Sequence, residues 1–353
     1  MPDTAHQPAH HALHATPDAA PHQRVVLEAF GGPDGFTLRE EEAPPEPGPG
    51  EVRIRVEAAS VQFTDVIIRK GEYIDLKAKP PLVPGYDCVG RVEAVGPGVT
   101  QLSVGDRVAD MTMIGSYATH RLLDATRCVP VPEGVDAAEA VSLVLSWMTA
   151  YQLLHRHAKV QAGQTVLIHG AAGAVGQALL RLGQLHGLEM FGTCRAEHAD
   201  LVASFGATPI DYREEDFTEV LADGVDVVFD GIGEEGFARS WRVVKRGGTL
   251  AAFGFSAGIQ AGAPFAKIGY WFLRLFFWNL WPNGKRAAFY AITDMRKAHP
   301  DWFREDLSTL LSMLEEGTLE PRIEARIGLG DVAEAHRRLE AGGLDGKLVI
   351  VPG

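Results

Sequence analysis

At 353 residues, with 46% hydrophobic and 22% charged side chains, the chain has the size and balance of two globular domains of roughly 150 residues each. Its 46 acidic residues against 33 basic ones give a formal charge of −13, which opposes the phosphate neutralisation that nucleic-acid binding needs and argues against that partner. Three scattered cysteines, Cys88, Cys128 and Cys194, exclude a disulfide framework and a four-cysteine zinc site; with neither a signal-peptide core nor an unbroken apolar span, a cytoplasmic protein without a membrane-spanning segment is expected.

Residues 1–22 hold five histidines among Ala and Pro, without apolar periodicity, and read as a disordered tail whose irregular spacing does not suit a metal site. From there to about residue 140, short β-rich runs at 24–30, 51–60, 90–95, 107–111 and 117–123 alternate with Gly and Pro, the pattern of a partly open antiparallel barrel. The rhythm then changes to strand and helix. Strands are expected at 165–169, 189–193, 209–211, 226–229 and 249–253, with helices starting near Ala174, Glu197, Glu215 and Glu235. Such alternation predicts an α/β fold, a doubly wound parallel sheet covered by helices on both faces. The expected domains are a catalytic barrel at 23–149, completed by 291–353, and a dinucleotide-binding unit at 150–290.

Within that unit, residues 264–290 hold ten of the chain's 29 aromatic side chains, interrupted by Lys267, Arg274, Lys285 and Arg286. The pattern suits a core helix or a subunit interface. It equally suits a greasy wall for a large apolar substrate or a peripheral membrane contact.

The strand ending at His169 runs into Gly170-Ala171-Ala172-Gly173-Ala174-Val175-Gly176 and then a helix, the setting a dinucleotide fingerprint requires. Gly173 lets backbone approach a pyrophosphate, Gly176 allows close helix packing, and the helix start supplies amides and a positive dipole. The turns after later strands, Gly231-Ile232 and Phe253-Gly254-Phe255, complete the expected contacts. An NAD site would carry an acidic residue at the end of the second strand, where this chain has Arg195, with His198 and Tyr212 nearby. A guanidinium there favours a 2′-phosphate, so NADPH is the expected cofactor.

Taken in order, Val61-Gln62-Phe63-Thr64-Asp65, Gly85-Tyr86-Asp87-Cys88-Val89-Gly90, Gly105-Asp106-Arg107-Val108, the AAGAVG turn, Asp230-Gly231-Ile232-Gly233 and Gly346-Lys347-Leu348-Val349 form a specific set. From residue 24 to the end the chain resembles the medium-chain dehydrogenase/reductases, in their zinc-independent quinone oxidoreductase branch. The aromatic segment is most similar to vesicle amine transport protein-like members. The resemblance implies a GroES-like barrel beside a Rossmann domain. Zinc-dependent relatives place a cysteine at position 62 and a histidine at position 86, where this chain has Gln62 and Tyr86, so no metal is expected.

Without a Lewis acid, hydride needs an acceptor that is already electrophilic, a quinone or an α,β-unsaturated carbonyl. By resemblance, Gln62, Tyr73 and Thr149 face the nicotinamide and substrate; Asp65 orients its neighbours or caps a helix; Lys347 is a cofactor contact or a surface charge. Tyr73, Trp147, Tyr270, Trp271 and Phe277 are the expected substrate contacts, and a homodimer is expected. Two other functions fit the sequence: an NADPH-dependent reductive cyclase of natural-product biosynthesis, and a nucleotide-binding lipid or membrane adaptor.

Overall fold

The computed structural model describes residues 21–233, 235–254 and 265–353. Its first half contains β1 (His22–Leu27), β2 (Phe36–Glu41), β3 (Glu51–Ser60), β4 (Asp87–Val95), β5 (Arg107–Met111), β6 (His120–Asp124) and β7 (Val129–Pro130). The spine is β3, where Val52, Ile54, Val56 and Ala58 point inward and are buried, the period-two pattern of a strand with one wet face. It pairs antiparallel with β4 and β6, and β4 passes the sheet on through β5 to β7. His22, expected in the tail, is the buried first residue of β1; residues 1–20 lie outside the described residues. Among the described residues strand β2 pairs only with β1, and its polar, largely exposed sequence has no alternation by which to find it.

Between the halves, residues 137–158 alternate α and π turns, Ala137–Ser142, Leu143–Trp147, Met148–Gln152 and Leu153–Ala158. Such π turns recur at functional sites, and this stretch delivers Ser146 and Thr149 to the cleft described below.

The second half holds β8 (Thr165–Ile168), β9 (Glu189–Cys194), β10 (Thr208–Asp211), β11 (Val225–Asp230), β12 (Val244–Ala252) and β13 (Arg286–Phe289). All pair in parallel in the order β10-β9-β8-β11-β12-β13, so the chain reverses direction across the sheet between β8 and β11. Ligands of such sheets bind at this switch point, beyond the strands' carboxyl ends. The sixth strand, β13, lies inside the aromatic segment, after the helix Phe265–Trp278; four residues among dense aromatics leave no visible period.

The C-terminal stretch contributes β14 (Ile323–Ile327) and β15 (Lys347–Ile350). These two are parallel to each other, while β15 runs antiparallel to β3, so the barrel sheet is mixed rather than wholly antiparallel. The pairing also carries Lys347 to the end of β3 beside Gln62. Among the described residues no helix is long and apolar enough to cross a membrane.

Candidate active site

At the switch point, β8 ends in the turn that opens the helix Ala174–Leu185, with Gly173 as its N-cap. Glycine has no side chain to cap the first amides, which leaves them for an anion. A Cβ on Gly176 would stand 2.3 Å from the carbonyl oxygen of Gly170, so only glycine lets the helix sit this close to the turn. Gly173, Ala174 and Val175 line a cleft of about 710 Å³. Ala171 is buried beneath it.

Under the turn runs a network that sequence reading missed. Asp230 accepts hydrogen bonds from the amides of Ile232 (2.9 Å) and Gly233 (3.1 Å) and from the Ser240 hydroxyl (2.7 Å). Ser240 meets His169 Nε2 at 3.0 Å, and His169 Nδ1 meets the Thr193 hydroxyl at 3.1 Å. Burial lowers the pKa of His169 and favours the neutral ring. The network ties together the carboxyl ends of β8, β9 and β11. Its only sequence signal was a polar residue at the end of each expected strand.

At the end of β9, Arg195 Nε donates to the Tyr212 hydroxyl (3.3 Å) and Nη1 to Glu197 (3.2 Å). His198 lines the cleft and meets Asp345 at 3.0 Å. Gly231, Phe253 and Gly254 also line it, while Ile232 is exposed beside it. Phe255 lies outside the described residues. The uncapped helix start beside the cleft fits the pyrophosphate of a dinucleotide.

The opposite wall begins at Gln62, N-cap of the helix Phe63–Lys70. Asp65 Oδ2 accepts from the Gln62 amide (2.9 Å) and the Tyr117 hydroxyl (3.0 Å), and Oδ1 from the Gly85 amide (3.2 Å). Asp65 is fully buried and pushed up to about 7 by desolvation, against the pull of those hydrogen bonds. It holds the helix start and does not line the cleft. Gln62 is fully engaged: Nε2 donates to Asp87 Oδ2 (2.7 Å) and Ser60 Oγ (2.5 Å), while Oε1 accepts from Ser146 Oγ (3.3 Å) and Lys347 Nζ. Lys347 also donates to Ser146 Oγ at 3.0 Å.

Burial pushes Asp87 up and lowers Lys347 to about 8, with Asp87 and Asp65 opposing that fall. Ser60, Asp87 and Ser146 were missed as site residues, although Asp87 sits in the Gly85–Gly90 motif. Farther along the wall, the Tyr73 and Tyr86 hydroxyls are 2.7 Å apart. Burial raises both, Tyr73 to about 12, so at neutral pH both phenols keep their protons and can donate.

The aromatic segment contributes Phe272, Phe289 and Tyr290 to the cleft, and these were not the expected rings. Trp271 is buried against Phe237, with ring centroids 6.1 Å apart. Tyr270 and Phe277 are exposed outside the lining, and Trp147 faces a second cavity. Aromatic density marked the segment, but only its packing on the parallel sheet decides which helix face turns inward. The Tyr290 hydroxyl donates to Gln152 (2.8 Å), which donates to Asp306 (2.9 Å), fixing that ring.

Two family profiles match: "Alcohol dehydrogenase GroES-like domain" over residues 48–133 and "Zinc-binding dehydrogenase" over residues 205–350. The synaptic vesicle membrane protein VAT-1 homolog of Rattus norvegicus is 30% identical over 95% of this chain and 85% of its own length. A 2-haloacrylate reductase of Burkholderia sp is 36% identical over 67% of this chain and 74% of its own. The crystal structure of Escherichia coli quinone oxidoreductase complexed with NADPH superposes with a TM-score of 0.81 at 25% identity, covering 94% of this chain and 100% of that one. With the fold and motif set in place, the chain belongs to the medium-chain dehydrogenase/reductase superfamily, in its zinc-independent quinone oxidoreductase-like branch.

Proposed function

We propose that the protein is an NADPH-dependent reductase of conjugated carbonyl compounds, acting on an apolar enone or quinone. One observation carries the reading: a single cleft is lined by the uncapped helix start at Gly173–Val175 and by the polar side chains of Gln62, Tyr73, Thr149 and Lys347. The first amides of the helix would hold the pyrophosphate, and Arg195 with Tyr212 the 2′-phosphate, where that phosphate takes the place of Glu197. When bound, NADPH supplies the hydride. Thr149, Phe253 and Tyr290, which line the same cleft, would border its ring.

Tyr73, protonated and steadied by Tyr86, donates a hydrogen bond to the substrate oxygen as negative charge gathers there. Gln62 has no free amide end, so it acts by holding Lys347 rather than by touching substrate. Ile67, Leu145, Phe272, Phe289 and Ile292 give the cleft its apolar walls and favour an extended hydrocarbon substrate. A relative named as a 2-haloacrylate reductase and a neighbour crystallised with NADPH support the same chemistry. We further read the enzyme as a cytoplasmic homodimer, which sedimentation and fractionation would check.

The test is NADPH oxidation by purified protein with 1,4-benzoquinone and with trans-2-decenal, beside NADPH binding followed by its fluorescence. Turnover of both acceptors is expected. Binding without turnover of either acceptor would leave a nucleotide-binding adaptor.

A further inference from the structure

The polar cluster at Gln62 is reached from two sides. Behind the cleft lies a second cavity of about 440 Å³, and Ser146, Gln177 and Lys347 line both spaces. Its own walls are polar, with Arg181, Gln184, Ser204, Glu320 and Arg322 among them, so water can occupy it. Lys347 therefore stands in a partition between the apolar reaction space and a polar one.

Its ammonium is held by Gln62 Oε1 and Ser146 Oγ. An ammonium has three N–H groups, so one remains for a further acceptor. Gln62 links Asp87 to the ammonium, with Nε2 donating to Asp87 and Oε1 accepting from Lys347.

We propose that Lys347 is the proton donor that completes reduction at carbon, and that the second cavity returns a solvent proton to it. This rests on the reductase reading above. Hydride adds to the β-carbon of an enone, and the displaced π pair gives an enolate. The Lys347 N–H bond breaks, its proton forms the new C–H bond at the α-carbon, and its electron pair stays on nitrogen. The neutral amine then takes a proton from water in the second cavity, so each turnover consumes one solvent proton. A quinone ends instead as a hydroquinone anion whose charge sits on oxygen, which exchanges protons with water unaided. Enones and quinones therefore separate this role from simple positioning.

The charged groups facing Lys347 are Asp87 and Asp65 on its own side, which favour the ammonium. Arg181, Arg322 and Glu320 face it across the second cavity. Glu72, Asp75, His198 and Asp294 face it across the cleft. The donor form prevails below about pH 8 and is lost above it.

The test compares trans-2-decenal with 1,4-benzoquinone, both with NADPH, from pH 6 to 10. For wild type, kcat with the enal should fall above about pH 8, and kcat with the quinone should not. Lys347→Met should lower enal turnover at least about 100-fold and quinone turnover far less, a size typical of a lost general acid. Ser204→Trp, which narrows the second cavity at an exposed position, should slow the enal alone. In nucleotide-free protein, heteronuclear NMR of the lysine amines should show one group titrating near 8 that Lys347→Met removes. Equal losses for both acceptors, or a pH limb for the enal that survives in Lys347→Met, would make Lys347 a scaffold and leave the reductase reading standing. Should the methionine variant not fold, the wild-type contrast and Ser204→Trp still decide. A wild type that reduces neither acceptor overturns both readings.

Discussion

The two ends of the cleft are built in different ways. The proposed nucleotide end is mostly backbone: a glycine turn, an uncapped helix start and the ends of parallel strands, with the half-buried Arg195 paired to Glu197 beside it. The reacting end is almost entirely side chain, a buried polar cluster drawn from β3, β4, β15 and the π turns of residues 143–147. A buried polar cluster is satisfied as a unit, so losing one member strands its partners.

The largest effect is therefore expected among the buried polar groups behind the reacting end. Asp65→Ala leaves three donors, the Gln62 and Gly85 amides and the Tyr117 hydroxyl, without their acceptor. A loss of about 3–5 kcal/mol in denaturant unfolding is expected. The pH dependence adds a sign. Asp65 is raised from 3.8 to about 7 on folding, so its contribution to stability is fully present below about pH 4 and is lost as pH rises through about 7. Relative to Asp65→Asn, wild type should lose stability across that window, and a flat difference would count against burial as the cause.

Tyr73→Phe removes the donor expected at the substrate oxygen and should lower kcat about 100-fold with little change in NADPH affinity. Tyr86→Phe, which only supports Tyr73, should cost less. If the two losses match, the phenols act as a pair and the hydrogen bond between them is itself required.

At the nucleotide end the effects are smaller. Arg195→Ala should weaken NADPH binding by about 1.5–3 kcal/mol and leave NADH unchanged, measured by titration calorimetry. Glu197→Gln frees the guanidinium and should tighten NADPH a few-fold. Smallest is the wall: Phe272→Ala should raise the Michaelis constant for trans-2-decenal about fivefold, from roughly 1 kcal/mol of lost apolar contact. Tyr270→Ala and Phe277→Ala, outside the lining, should leave it unchanged.

Legibility follows the same division. The parallel strands, the turn at Gly173 and the place of Arg195 were readable because each depends on neighbours within a few residues. The barrel was read with β2 missing, and the direction of its C-terminal strand pair was not read at all. Among the residues proposed for the chemistry, Gln62, Tyr73, Thr149 and Lys347 were expected through resemblance, whereas Ser60, Asp87 and Ser146 were not, because a buried polar residue announces no period.

What the sequence by itself determined is the nucleotide-binding half: strand–helix alternation, a glycine turn opening a helix, and a cation where an NAD site has an acid. Only the tertiary structure decided the rest. It turned Phe272 into the cleft while Tyr270 and Trp271 went elsewhere, because helix packing on the sheet selects one face. It also set Lys347 against Gln62, 285 positions apart in the chain, because β15 closes on β3. Burial at that junction is what lowers Lys347 to about 8.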